Sequence, residues 1–201
     1  MPIEDSQRWD EKYRRGEHLS EEPSTLIESL DPMLPREGYG LDVAGGGGRH
    51  AIWLAQRGLV MTLTDISQVA LTVAQQRATA LDIELTTLHV DLERQLFPSG
   101  PWDLILNVHF LWRPLFREFA KQLAPGGLLV FLQPTRSNLQ RHTKPSEKYL
   151  LEDGELRTLL PGLEIVHYEE GWLGDGRHEV LLVAKRPATG NWLESENTTQ
   201  R

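Results

Sequence analysis

The chain reads as an α/β fold: a doubly wound, seven-stranded, mostly parallel sheet with helices on both faces and an antiparallel last strand. Three observations predict it. Apolar strand-like runs alternate with helical patterns from Tyr39 to Gln133, as parallel strands joined by crossovers do. The first of these runs passes through Asp42 and Val43 into four consecutive glycines, Gly45 to Gly48, with a helical pattern at once behind them. The last two strand-like runs have only Gly171 to Arg177 between them. That is too short for a parallel crossover, so these two strands pair antiparallel.

Each element has its own signal. Asp5 to Arg15 is a short polar helix that sets Trp9 and Tyr13 on one face. Ser24 to Leu30 is a second, stopped by Asp31-Pro32. Tyr39 to Val43 and Val60 to Thr64 are strands, the latter closing at Asp65. Ser67 caps a helix running to about Ala80. Glu84 to Val90 is the third strand and ends at Asp91; Asp103 to Asn107 is the fourth and almost wholly apolar. Pro114 suits the first turn of a helix reaching Leu123. Pro125-Gly126-Gly127 then turns the chain into strand Leu128 to Gln133. Leu163 to Glu169 and Glu179 to Lys185 complete the set. Residues 1–187 are expected to form one domain, with a helical cap over about 1–35, and 188–201 a polar, disordered tail.

Composition narrows the function classes. The chain has 201 residues, 39% of them hydrophobic, enough for one core and with no apolar run long enough to span a bilayer. The charged N-terminus is unlike a secretory signal, and there is no cysteine, so a cytoplasmic protein is expected. A formal net charge of -8 argues against a nucleic-acid partner. The seven histidines show no ligand-like spacing, so no metal is expected.

The glycine loop carries the chemistry. Gly46 to Ala51 satisfies G-x-G-x-x-G/A, where bare backbone approaches a ligand at a helix N-terminus. Asp65 lies where an acidic residue accepts bonds from ribose hydroxyls, although a helix-capping role fits it too. Asp42 would repel a pyrophosphate but suits a ligand with an ammonium and a sulfonium.

On these residues the chain resembles the class I S-adenosylmethionine-dependent methyltransferases, with their Rossmann-like fold. Their D/E-x-G-x-G-x-G motif falls on Asp42, Ala44, Gly46 and Gly48, with alanine where the first glycine is usual. Asp65, the pair Asp91-Leu92 and Leu123-Ala124-Pro125-Gly126-Gly127 match further positions. The opening Arg8-Trp9-Asp10-Glu11-Lys12-Tyr13 looks like the W-D-x-x-Y start of the tellurite-resistance and thiopurine type. The resemblance implies S-adenosylmethionine as cofactor and contacts to it from Trp9, Tyr13, Asp42, Ala44, Gly45, Gly46, Gly48, Arg49, Asp65, Ile66, Asp91, Leu92 and Asn107.

The methyl acceptor is less legible. Asn107 and His109 leave strand four at the rim where such folds bind ligands, and are the candidate catalytic residues. Asn107 is a group orienting cofactor or acceptor; His109 is either a general base or, since a soft acceptor needs none, an imidazole satisfied by a backbone carbonyl. Phe110, Leu111 and Trp112 either line an apolar pocket or enter the core. Residues 133–153, with Arg136, Arg141, His142, Lys144 and Lys148, read as a lid or binding loop or as a solvated charged segment. The expected function is methyl transfer to a small molecule carrying a soft nucleophile. A nicotinamide-dependent oxidoreductase and a non-catalytic cofactor-binding module are the alternatives.

Overall fold

The computed structural model describes residues 2–188, with side chains from residue 5 onward. The expected polar tail therefore lies outside the described residues, apart from Ala188. The elements in chain order are α1 (Pro2–Arg14), α2 (Thr25–Glu28), β1 (Tyr39–Val43), α3 (Arg49–Ala55), β2 (Val60–Asp65), α4 (Gln68–Ala80), β3 (Leu85–His89), β4 (Trp102–Val108), α5 (Leu115–Gln122), β5 (Leu123–Pro134), β6 (Glu164–Trp172) and β7 (His178–Lys185). Seven strands form one sheet in the order β3-β2-β1-β4-β5-β7-β6. The pairs β1/β2, β1/β4 and β2/β3 are parallel, and β7 runs antiparallel to both β5 and β6. This is the expected fold class.

By its contacts the chain divides into two compact units: residues up to Pro98 together with Leu104–Val108, and Ser99–Asp103 together with the residues from His109 onward. In the first, β1 and β2 bury Leu41, Val43, Met61 and Leu63, because a parallel strand covered on both faces must be apolar throughout. Ser67 caps α4, its hydroxyl accepting from the Ala70 N–H at 3.1 Å. In the second, Phe116 and Phe119 of α5 close on Phe131 of β5, with Phe116 and Phe131 centroids 5.0 Å apart.

Three boundaries differ from expectation. Helix α3, whose pattern in the sequence runs from Ala51 to Arg57, spans Arg49–Ala55, because Gly48, at φ +79°, ends the loop as its N-cap. Strand β5 begins at Leu123, since the Gly126 N–H donates to the Arg186 carbonyl and the Arg186 N–H returns to Gly127. The glycines thus continue the ladder. Residues 133–153 are a tethered segment: Leu150 and Leu151 are buried, and the Arg136 N–H holds the Leu151 carbonyl at 2.7 Å. The cations there are engaged too, Arg136 by Glu147 and Glu152 and Arg141 over the Trp172 ring.

Candidate functional site

In the order β2-β1-β4 the chain reverses direction of build, and ligands of open α/β sheets bind beyond the strand ends at that point. The first unit supplies it. β1 ends at Val43 and continues into a loop held by β2: the Ala44 N–H donates to Thr64 Oγ1 at 3.2 Å and the Gly45 N–H to the Thr64 carbonyl at 3.0 Å. Ala44 sits at φ +53°. That left-handed conformation, costly for any residue with a Cβ, is the reason glycine is usual there.

Gly46 and Gly48 share the same backbone region. A Cβ on Gly46 would meet the Tyr13 hydroxyl, one on Gly48 would press on Ala74 at 2.9 Å, and one on Gly45 would strike the Asp42 carboxylate and Leu63. The loop is therefore a bare-backbone cradle that side chains would fill. Asp65 fastens it to β2: the Gly46 N–H donates to Oδ2 and the Ser67 N–H to Oδ1, each at 2.8 Å. The capping reading and the loop-holding role coexist, because each carboxylate oxygen keeps a second lone pair. Burial pushes the Asp65 carboxyl up to about 6, opposed by the Ser67, Gly46 and Ile66 N–H groups and the nearby His89.

Asp42 is fully buried, and no hydrogen bond of full geometry reaches either of its oxygens, the Ala51 N–H being the one donor directed at it. Desolvation pushes its carboxyl up to about 7; a backbone hydrogen-bonding contact from the Ala51 N–H lowers it, the Asp65 charge adds to it and the Arg49 charge opposes it. An unsatisfied carboxylate beside an open glycine cradle fits a ligand that brings a cationic hydrogen-bond donor. On this test the residues present suit an aminoacyl-bearing sulfonium cofactor.

Around the cradle stand Tyr13, buried, with Trp9 6.0 Å from it between ring centroids. Burial, then the Asp65 and Asp42 charges, hold the Tyr13 hydroxyl far above its ordinary value. Helix α1 is fixed by Asp10 of the motif and by residues outside it. Asp10 Oδ1 accepts from the Ser67 hydroxyl at 2.6 Å and the Val69 N–H at 3.2 Å, and the Ser6 hydroxyl donates to the Ile66 carbonyl. Arg77 ties the Gly47 carbonyl to those of Leu19 and Ser20. These pairings span up to 60 positions, and only Asp10, inside the W-D-x-x-Y motif, carried a signal.

The remaining predicted positions are placed as follows. Arg49 heads α3 and reaches the Glu22 carbonyl at 3.4 Å. Next along α3, His50 is buried and accepts from the Ser24 N–H at 3.2 Å, as a neutral ring does. Ile66 follows β2, its carbonyl taken by Ser6 and His89. Asp91 lies past β3 and closes a turn by accepting from the Glu93 N–H at 3.0 Å; Leu92 beside it is buried. Asn107 pairs in register with Val43, and Asp42 with Leu106, so the Asn107 and Asp42 side chains leave opposite faces of the sheet. The Asn107 Oδ1 is buried and unpartnered. His109 belongs to the second unit and contacts Glu179 there. No helix among the described residues is long and apolar enough to cross a membrane.

Comparison with known proteins accords with this geometry. Residues 41–127 match the family described as a methyltransferase domain. An uncharacterized protein of Mycobacterium tuberculosis is 31% identical over 106 residues, 49% of this chain and 39% of the relative, so the match spans well under half the relative's length. Among solved structures, TehB from Haemophilus influenzae superposes with a TM-score of 0.70 at 16% identity, over 88% of this chain and 67% of that one. A structure tied to conversion of a disulfide bond into a thioacetal group during echinomycin biosynthesis gives 0.70 at 16%, over 98% and 99%. An S-adenosylmethionine-dependent methyltransferase from Mesorhizobium loti gives 0.67 at 22%, over 83% and 100%. Over residues 41–127 the chain is thus similar to a methyltransferase domain, and its fold is the one seen in solved S-adenosylmethionine-dependent methyltransferases.

Proposed function

We propose that the protein transfers the methyl group of S-adenosylmethionine to a small molecule bearing a soft nucleophile, a thiol or a chalcogen oxyanion. The observation that carries the reading is Asp42, a buried carboxylate that no hydrogen bond of full geometry reaches, next to a glycine cradle that begins where β1 ends. When bound, the cofactor supplies an electrophilic methyl carbon on a positively charged sulfur. Asp42 would receive the ammonium, Asp65 the ribose hydroxyls through its unused lone pairs, and Asp91 the adenine amine. Gly46 and Gly48 let the backbone approach, while Trp9 and Tyr13 exclude water from the loop. The chain's task is then mainly positioning and desolvation. The structural relative tied to disulfide-to-thioacetal conversion favours a sulfur acceptor. The cysteine-free composition accords with a cytoplasmic setting.

Calorimetry with S-adenosylhomocysteine and with NAD tests the cofactor. Micromolar binding of the first and none of the second is expected, and the reverse overturns the reading. Incubation with methyl-labelled S-adenosylmethionine and a panel of thiols, selenite, tellurite and phenols then identifies the acceptor class.

A further inference from the structure

Three buried titratable side chains of the first unit crowd one glycine loop. A Cβ on Gly45 would strike the Asp42 carboxylate, and one on Gly46 would meet the Tyr13 hydroxyl. The Gly46 N–H is held by Asp65 Oδ2 at 2.8 Å. Asp65 receives a backbone N–H on each oxygen, whereas Asp42 has only the Ala51 N–H directed at it. Two carboxylates buried against one loop resist ionising together, because desolvation and like charge both disfavour the second negative charge.

The surrounding groups do not remove this conflict. Arg49 at the start of α3 faces Asp42 and Tyr13, and His89 at the end of β3 faces Asp65. Arg77 of α4 reaches the loop at the Gly47 carbonyl, 3.1 Å away. Asp10 of α1 adds a further acid behind Ser67, whose hydroxyl it accepts at 2.6 Å. Tyr13 stays a neutral hydroxyl, held far above its ordinary value by burial and by the two acids. From β4, the residues in register with Asp42 and Val43 are Leu106 and Asn107, which do not titrate. For Asp42 and Asp65 alike burial outweighs the cations, so each holds its proton more tightly than a carboxyl in water.

We propose that the Asp42–Asp65 pair stores one proton in the free protein and that the ammonium of the arriving cofactor displaces it, so that cofactor loading is switched by pH. The inference rests on the reading of the cradle as an S-adenosylmethionine site. An ammonium against Asp42 favours its ionised form, as ribose hydroxyls favour that of Asp65. The proton passes from the carboxyl to water, and no bond of the cofactor changes. Because the bound state holds fewer protons, affinity is highest where the free acids are already ionised and falls as pH drops below about 7. Neutral pH loads the cradle and acidification empties it.

Calorimetry of S-adenosylhomocysteine at pH 6.5, repeated in buffers of different ionisation enthalpy, counts the protons released. About one per cofactor is expected, shared between the coupled acids. The Kd should rise on the order of tenfold from pH 8 to pH 6. 5′-Methylthioadenosine has the adenosine and the thioether but no ammonium, and should bind with close to no release. D42N should lose most of the release and most of the pH dependence. Binding of S-adenosylhomocysteine without release, at a Kd constant over that range, overturns the proposal and leaves the cofactor reading intact. Equal release with 5′-methylthioadenosine also overturns it, since the ammonium is then not what displaces the proton. So does a D42N that keeps the wild-type release. If S-adenosylhomocysteine binds at no pH, the cofactor reading fails and the inference falls with it.

Discussion

Asp42→Asn is the most informative perturbation of the cradle. In the folded chain the Asp42 carboxyl is pushed from 3.8 to about 7, chiefly by burial. Through the interval between these values the native state keeps a proton that the unfolded chain has released. Stability from this group is therefore fully present below about pH 4 and lost as pH rises toward 7, by about 1.4 kcal/mol per unit, on the order of 4 kcal/mol in all. Asp65, raised to about 6, contributes in the same direction and is coupled to Asp42. The amide deletes the Asp42 contribution but leaves its own buried polar atoms short of partners, at a cost of about 1–3 kcal/mol. The decisive quantity is consequently a difference between pH values, in which that constant cost cancels. Urea unfolding should show the stability of D42N relative to wild type improving by about 3 kcal/mol between pH 5 and pH 8. Calorimetry should show D42N losing at least about tenfold in S-adenosylhomocysteine affinity, since a hydrogen bond to a charged group is worth about 1.5–3 kcal/mol. A relative stability that stays constant across that pH range would refute the assignment of a buried carboxylate short of hydrogen bonds.

Other substitutions test the remaining parts of the cradle. Asp65→Ala leaves the Gly46 and Ser67 N–H groups without an acceptor, so urea melts should show a loss of about 2–5 kcal/mol, and cofactor affinity should fall tenfold to several hundredfold; unchanged binding would make Asp65 a loop fastener only. Ala44→Gly removes a Cβ at φ +53°, worth about 1–2 kcal/mol, against about 0.4–1 kcal/mol of added unfolded-chain entropy. Its melting temperature should hold or rise slightly, and a clear fall would contradict the strain argument. Gly46→Val sets a branched side chain against the Tyr13 hydroxyl at a positive φ, and should abolish measurable cofactor binding by calorimetry.

Local signals determined much of this protein. The alternation of apolar runs with helical patterns, the Ser67 cap and the short link before β7 each act over a few residues, and each is realised as expected. The cradle was equally legible, because the acid, the glycines and the second acid lie on one strand–loop–helix–strand passage whose spacing sets their geometry. Ala44 shows the limit. Its departure from the motif is visible in sequence, whereas the reason glycine is usual there is the backbone angle, which is not. Residues 133–153 read as a lid or binding loop or as a solvated charged segment, and the fold pairs Arg136 there with two glutamates.

What only the tertiary structure decided are contacts between distant residues. Asp10 meets Ser67 across 57 positions, Arg77 meets Gly47 across 30, and Glu179 reaches His109 from the last strand. Asp10 lies in a motif, but none of these pairings has a signature of its own, since a side-chain hydrogen bond depends on which strand or helix is neighbour to which, and in what register. That register is set by burial of the whole sheet. Sequence could name Asp42 as a candidate, but that no hydrogen bond of full geometry reaches its two oxygens is a property of the packed fold alone.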